Sequence, residues 1–166
     1  MPFKRAVQII LVIIVFLPVG LARANTPDPS SLDYTFPMTD PKLISSDVLD
    51  GYEPAVAYNE NHDEYLVVWH YFNDIYAQRI SSRGELLGNE MTITNHSNKE
   101  DSPALAYDPN WDRYLVVWQR DSGSGHKDIY GRFIPWNGPI SGWGAFPIDS
   151  TTNDTRYPKI AYGFTQ

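Results

Sequence analysis

Tyr65-Leu66-Val67-Val68-Trp69 is an unbroken run of apolar and aromatic residues, and the chain repeats it 49 positions later as Tyr114-Leu115-Val116-Val117-Trp118. A strand with one wet face alternates apolar and polar residues, whereas this run asks for burial on both faces. Matching companions flank each copy. Upstream stand Pro54-Ala55-Val56-Ala57-Tyr58 and Pro103-Ala104-Leu105-Ala106-Tyr107; downstream stand Asp74-Ile75-Tyr76 and Asp128-Ile129-Tyr130. A third copy opens at Pro158-Lys159-Ile160-Ala161-Tyr162. Repetition near 50 residues, built from short strands, predicts an array of β-sheet blades.

Gly, Pro, Asn and Asp break the chain into four strands per repeat. The first repeat predicts strands at Ala55–Tyr58, Glu64–Tyr71, Asp74–Ser81 and Glu90–Thr94. The second predicts Ala104–Tyr107, Arg113–Gln119, Asp128–Ile134 and Ala145–Asp149. Ile44, Ile93 and Ile148 each stand ten residues before the proline that opens the next repeat, so Lys42–Ser45 reads as the last strand of a preceding unit. The expected fold is all-β: four-stranded antiparallel blades of a partial β-propeller over 42–166. Blade one covers about 54–94, blade two about 103–149, and a third begins at 158–166. Strand four at one end and strand one at the other do not neighbour each other in a blade, so the two ends cannot complete one between them. The expectation is a fragment of a longer protein, the alternative being assembly of several chains into one ring.

Residues 1–24 carry the pattern of an export signal. Lys4 and Arg5 precede an apolar run from Ile9 to Leu17, and Ala22-Arg23-Ala24 offers small residues to a signal peptidase. The run is short for a membrane span, which needs about 20 residues; an uncleaved anchor counted from Ala6 to Ala22 is the rival reading. Residues 25–41, with Pro27, Pro29, Pro37 and Pro41, read as an extended linker. The whole chain has a net charge of −7. Removing Lys4, Arg5 and Arg23 leaves 10 basic against 20 acidic residues in the mature chain. Such a balance argues against nucleic acid as a partner. With no cysteine, the secreted domain depends on its apolar core rather than on disulfides.

The unit resembles a repeat of large exported bacterial and archaeal β-propeller proteins: Pro-x-Val-Ala-Tyr, then Tyr-Leu-Val-Val-Trp, then Asp-Ile-Tyr-Gly-x-Arg and a Gly-containing turn. The resemblance spans about 42–162. It implies a propeller on a secreted, periplasmic or cell-surface protein, with membrane contact only during export, and it brings no active site with it. The second repeat departs where Phe133 replaces the arginine seen at Arg79, and where five extra residues precede Asp128.

Chemical motifs are sparse. Asp108-x-Asn110-x-Asp112 and Asn59-x-Asn61-x-Asp63 have the spacing of calcium-ligand oxygens but lack the glycine and distal acid of such loops; Asn and Asp equally make tight turns. His62, His70, His96 and His126 are scattered without metal-ligand spacing. No nucleophile elbow is present, and carboxylate pairs for glycoside hydrolysis cannot be identified from the sequence. Trp69 and Trp118 read as core. Trp111, Trp136 and Trp143 lie in turns or loops where a ring could stack on a sugar. Catalytic residues, metal and cofactor are therefore not expected. The function expected is a non-catalytic binding or surface-display module for a polysaccharide or protein; the alternative is part of a propeller glycoside hydrolase or lyase with its catalytic residues on other blades. Antiparallel blades send alternate loops to opposite rims. One rim gathers Gln119–Lys127, Asn95–Ser102 and Thr151–Tyr157, and its longest loop nominates Asp121, His126 and Lys127 as ligand contacts.

Overall fold

The computed structural model describes Ile44, residues 51–137, Ile140 and residues 144–163. The signal and linker segments, Trp143, and Lys42–Ser45 apart from Ile44 lie outside the described residues. Two four-stranded antiparallel sheets make up the fold, and no helix occurs among the described residues. Sheet one is β1 (Tyr52–Asn59), β2 (Glu64–Tyr71), β3 (Asp74–Ser81) and β4 (Leu86–Thr92), in that order. Sheet two is β5 (Glu100–Asp108), β6 (Arg113–Asp121), β7 (Lys127–Pro135) and β8 (Phe146–Asp149), likewise in order. Among the described residues no strand pairing joins the sheets; they meet through side chains and one backbone bond, from Glu100 N to Asn73 O at 2.8 Å.

The two-sided strands are buried on both faces. Leu66 and Val68 point into the space between the sheets, where they join Ile75, Ala77 and Ile93 of the first repeat. Across from them lie Leu105, Tyr107, Tyr114, Val116, Trp118 and Ile134 of the second. Val67 and Trp69 face the other way and pack with Ile80 and Ile44. The isoleucine spacing now has a physical meaning. Ile44 sits on Val67, Trp69 and Ile80, and Ile93 sits among their counterparts Val116, Trp118 and Ile134. Each trailing isoleucine plugs the next sheet. Gly131 stands where the first repeat has Ala77. A Cβ at Gly131 would lie 2.9 Å from Ile148 Cδ1, inside contact distance, with Phe146 and Leu115 close behind.

The strand boundaries differ most from expectation in β1, β5 and β4, and by one or two residues in β6, β7 and β8. β1 and β5 run on through Pro54 and Pro103, because each carries a bulge there: register breaks between Tyr52 and Ala55 and between Asp101 and Ala104. Glu53 and Ser102, just before the prolines, both have φ of 54°, and Tyr157 before Pro158 repeats the value. Such a conformation is uncommon for a residue with a Cβ, yet all three repeats adopt it. At two of these positions the N–H is taken by a neighbouring side chain. Ser102 N donates to Glu53 Oε2 at 2.7 Å and Tyr157 N to Gln119 Oε1 at 2.9 Å. β4 covers Leu86–Thr92 rather than Glu90–Thr94. It starts directly after the tight turn at Gly84, and buried Gln78 at the β3 bulge donates to the carbonyls of Leu87 and Gly88. Ile93 and Thr94 leave the ladder because both their N–H groups converge on the Ile75 carbonyl.

Candidate functional site

The two ends of the strands present different chemistry. At the end where β2, β6 and the connecting segments gather, the β6–β7 hairpin brings the three nominated residues together. Asp121 and Lys127 are cross-strand partners at its base, with His126 beside them. Their polar groups are engaged within the protein. Asp121 Oδ1 accepts from Gly123 N at 2.9 Å, and His126 Nδ1 lies 2.8 Å from Ser124 Oγ. Lys127 Nζ turns inward to Asp101 Oδ2 at 3.4 Å. The neighbouring segments expected on this rim are there as well: Asn98 Nδ2 donates to Asp121 O, and Lys127 N donates to Asp154 Oδ1.

Two buried acids lie beneath this hairpin. Glu100 Oε1 accepts from Trp118 Nε1 at 2.8 Å and from Arg120 Nε at 2.6 Å. Asp101 takes Lys99 at 3.0 Å, Lys127 and the Gln119 amide. Burial alone would raise the pKa of Asp101. The hydrogen bonds from Lys99 and Gln119 and the charges of Lys127 and Lys99 outweigh it, and the carboxyl is held below its ordinary value. These acids were not singled out in the sequence, where Glu100 and Asp101 read as loop. Only their positions in β5 and the bulge bring them beneath the hairpin.

The opposite end is built from the hairpin turns that carry the calcium-like spacing. Their oxygens are used for folding. Asn59 Oδ1 accepts from the N–H groups of Asn61 and His62, and Asp108 Oδ1 accepts from those of Asn110 and Trp111, the same local turn twice. Asp63 and Asp112 each accept a tyrosine hydroxyl, from Tyr58 at 2.9 Å and from Tyr107 at 2.6 Å. His62 Nε2 reaches across to Asp112 Oδ2 at 2.9 Å while its ring stacks on Trp136 at 3.3 Å. Burial would raise the Asp112 pKa, but hydrogen bonds from Tyr107 and His62 bring it below the usual range. Burial and the bond to Asp112 push Tyr107 the other way, well above an ordinary phenol.

Between the turns, Asn61 Nδ2 donates to Tyr107 Oη at 2.8 Å, and Asn110 Nδ2 donates to Tyr162 Oη at 2.5 Å. The asparagine of each repeat thus reaches the tyrosine of the next, and Tyr58, Tyr107 and Tyr162 stand in line. A cleft of about 710 Å3 opens along them, lined also by Glu60, Asn61, Pro109 and Asn110, with Leu105 and Ile160 in its wall. Its volume falls in the range of small-molecule sites, roughly 300–1,000 Å3. Sequence reasoning saw these tyrosines as repeat markers and these asparagines as turn formers; the alignment of three repeats is what joins them into one surface. Among the described residues no group of three or more His, Cys, Asp or Glu is arranged to hold a metal ion. Of the other loop tryptophans, Trp111 is exposed, with the Arg113 guanidinium 5.2 Å from its ring.

The chain matches no protein-family profile and no curated protein sequence.

Proposed function

We propose that the chain is an exported, non-catalytic β-propeller module that binds a polysaccharide or protein ligand, and that it forms part of a longer ring. The observation that carries this reading is the repetition of contacts between units, beyond the repetition of strands within them. Asn61 to Tyr107 recurs as Asn110 to Tyr162, the Ile44 plug recurs at Ile93, and the left-handed residue before the proline recurs at Glu53, Ser102 and Tyr157. Units that meet their neighbours through one repeated interface build arrays, and terminal units leave a surface of the same kind open. Ile148 fits that surface: it is 51% exposed where its counterpart Ile93 is fully buried. A further blade would cover it.

Export rests on residues 1–24, and a secreted, periplasmic or cell-surface location follows from it. The non-catalytic reading draws support from Glu100 and Asp101 at one rim and Asp63 and Asp112 at the other, whose carboxylates are committed to lysine, arginine, histidine, tyrosine and other side-chain partners. The rival is a propeller glycoside hydrolase or lyase that brings its catalytic groups from other blades. The deciding experiment titrates the full chain with a panel of neutral, aminated and uronic polysaccharides and follows product release in parallel. Saturable binding without new reducing or unsaturated ends is expected. Turnover by this chain would overturn the non-catalytic reading.

A further inference from the structure

We propose that the cleft along Tyr58, Tyr107 and Tyr162 is a saccharide site that selects neutral or amine-bearing pyranose chains over acidic ones. This rests on the ligand-binding reading above and gives it a ligand class and a place. That place is the end of the strands opposite the Asp121–Lys127 hairpin.

Three properties of the cleft carry the proposal. The first is its aromatic surface. Tyr58 is 45% and Tyr162 39% exposed, so both offer ring surface to the C–H face of a pyranose. Tyr58 is held in place by its bond to Asp63 and by the Tyr65 ring 5.0 Å away; Tyr107 is held likewise by Asp112 and by Tyr114, also at 5.0 Å. Rings already fixed lose little freedom when a ligand arrives.

The second is the hydrogen-bonding pattern. Asn61 and Asn110 spend their N–H groups on the next tyrosine, which aligns each amide. Their Oδ1 atoms accept nothing among the described residues, and neither does the Glu60 carboxylate. The wall therefore presents unfilled acceptors. Sugar hydroxyls and ammonium groups are donors, whereas a carboxylate or sulfate has only acceptors to offer.

The third is charge. Among the described residues no lysine or arginine lines the cleft, Glu60 lies in its wall, and the Asp63 and Asp112 carboxylates stand directly behind two of the hydroxyls. An anionic chain would meet like charge with no cation to offset it. An amine would find Glu60.

The test is calorimetric titration of the full chain with three soluble β-1,4-linked oligomers of matched length, made of glucose, glucosamine and glucuronate. The expected order is glucosamine first, then glucose, with glucuronate not binding. Glu60 is exposed, so Glu60→Gln leaves the fold alone. It should lower glucosamine affinity about two- to fivefold, the scale of one exposed ion pair, without changing glucose affinity. Tyr162→Ala should weaken both about three- to tenfold, the scale of one aromatic contact. Binding of glucuronate as tight as that of glucose would overturn the proposal, as would a glucosamine preference that survives Glu60→Gln. Should binding persist in both variants but vanish when Ser122–Gly125 is deleted, the cleft is refuted and the binding-module reading stands. Failure of all three oligomers to bind refutes the cleft, while binding of another ligand class by the same chain would leave the wider reading in place.

Discussion

The two repeats solve one packing problem with different chemistry, and exchanging the solutions is a direct test of their equivalence. In sheet one Glu64, 2% exposed, receives Arg79 through Nε–Oε1 at 2.8 Å and Nη2–Oε2 at 2.5 Å. At the matching positions of sheet two, Arg113 holds its guanidinium 4.0 Å over the ring of Phe133. Arg79→Phe leaves the Glu64 carboxylate buried without its cation. Removing one partner of a buried pair costs about 3–5 kcal/mol. Glu64→Arg alone sets two guanidinium groups together and loses the same pair, with a comparable loss. The double variant installs the arginine–phenylalanine contact of sheet two, which contributes about 0.5–2 kcal/mol, without the Asp108 carboxylate 3.7 Å from Arg113, since Asn59 stands at that position in sheet one. Its stability should return to within about 2 kcal/mol of the parent, a coupling of at least about 2 kcal/mol in the mutant cycle. Urea unfolding of the full chain and the two single and one double variants, with unchanged slope, measures this directly. A double variant no more stable than Arg79→Phe alone would refute the equivalence of the two sites.

Three further outcomes are expected. Ile93→Ala, emptying the plug between the sheets, should cost about 2–5 kcal/mol. Ile148→Ala, at the same repeat position but exposed, should stay within about 0.5 kcal/mol of the parent. Equal losses in urea would defeat the plug argument. Stability should also fall in two steps on acidification. Burial lowers the pKa of His70, so the unfolded chain takes up that proton first and stability drops below about pH 6.5. Asp101 and Asp112 are held below the usual range, so a second loss begins near pH 4 as their unfolded forms protonate. Melting temperature against pH for the parent and His70→Gln checks this, since the variant should lack the first step. Exported material should begin at Asn25 by N-terminal sequencing; intact Met1 in a membrane fraction would mean that the apolar segment anchors the chain.

How far the sequence reaches is clearest residue by residue. Tyr65–Trp69 and its copy determined strands buried on both faces by themselves, since a run without polar breaks has no face to give to water. The isoleucine spacing marked the repeat but reads as a unit's last strand; Ile93 leaves the ladder, and only the packing between sheets makes it a plug. Turn residues placed the β1–β2 and β5–β6 hairpins. Pro54 and Pro103 misled about where β1 and β5 start. A proline cannot donate to a ladder, and only the left-handed Glu53 and Ser102 beside them, with N–H groups such as that of Ser102 caught by the neighbouring sheet, let the strand continue. The start of β4 was equally hidden, because Leu86-Leu87-Gly88-Asn89 has little strand character and is held by the Gln78 amide. The cleft was beyond the sequence altogether. Tyr58, Tyr107 and Tyr162 are distant along the chain, and nothing local says that an asparagine in one turn will bond the tyrosine of the next repeat. That depends on how one sheet sits against another, which is set by side-chain packing across the interface and is fixed only when the whole chain has folded.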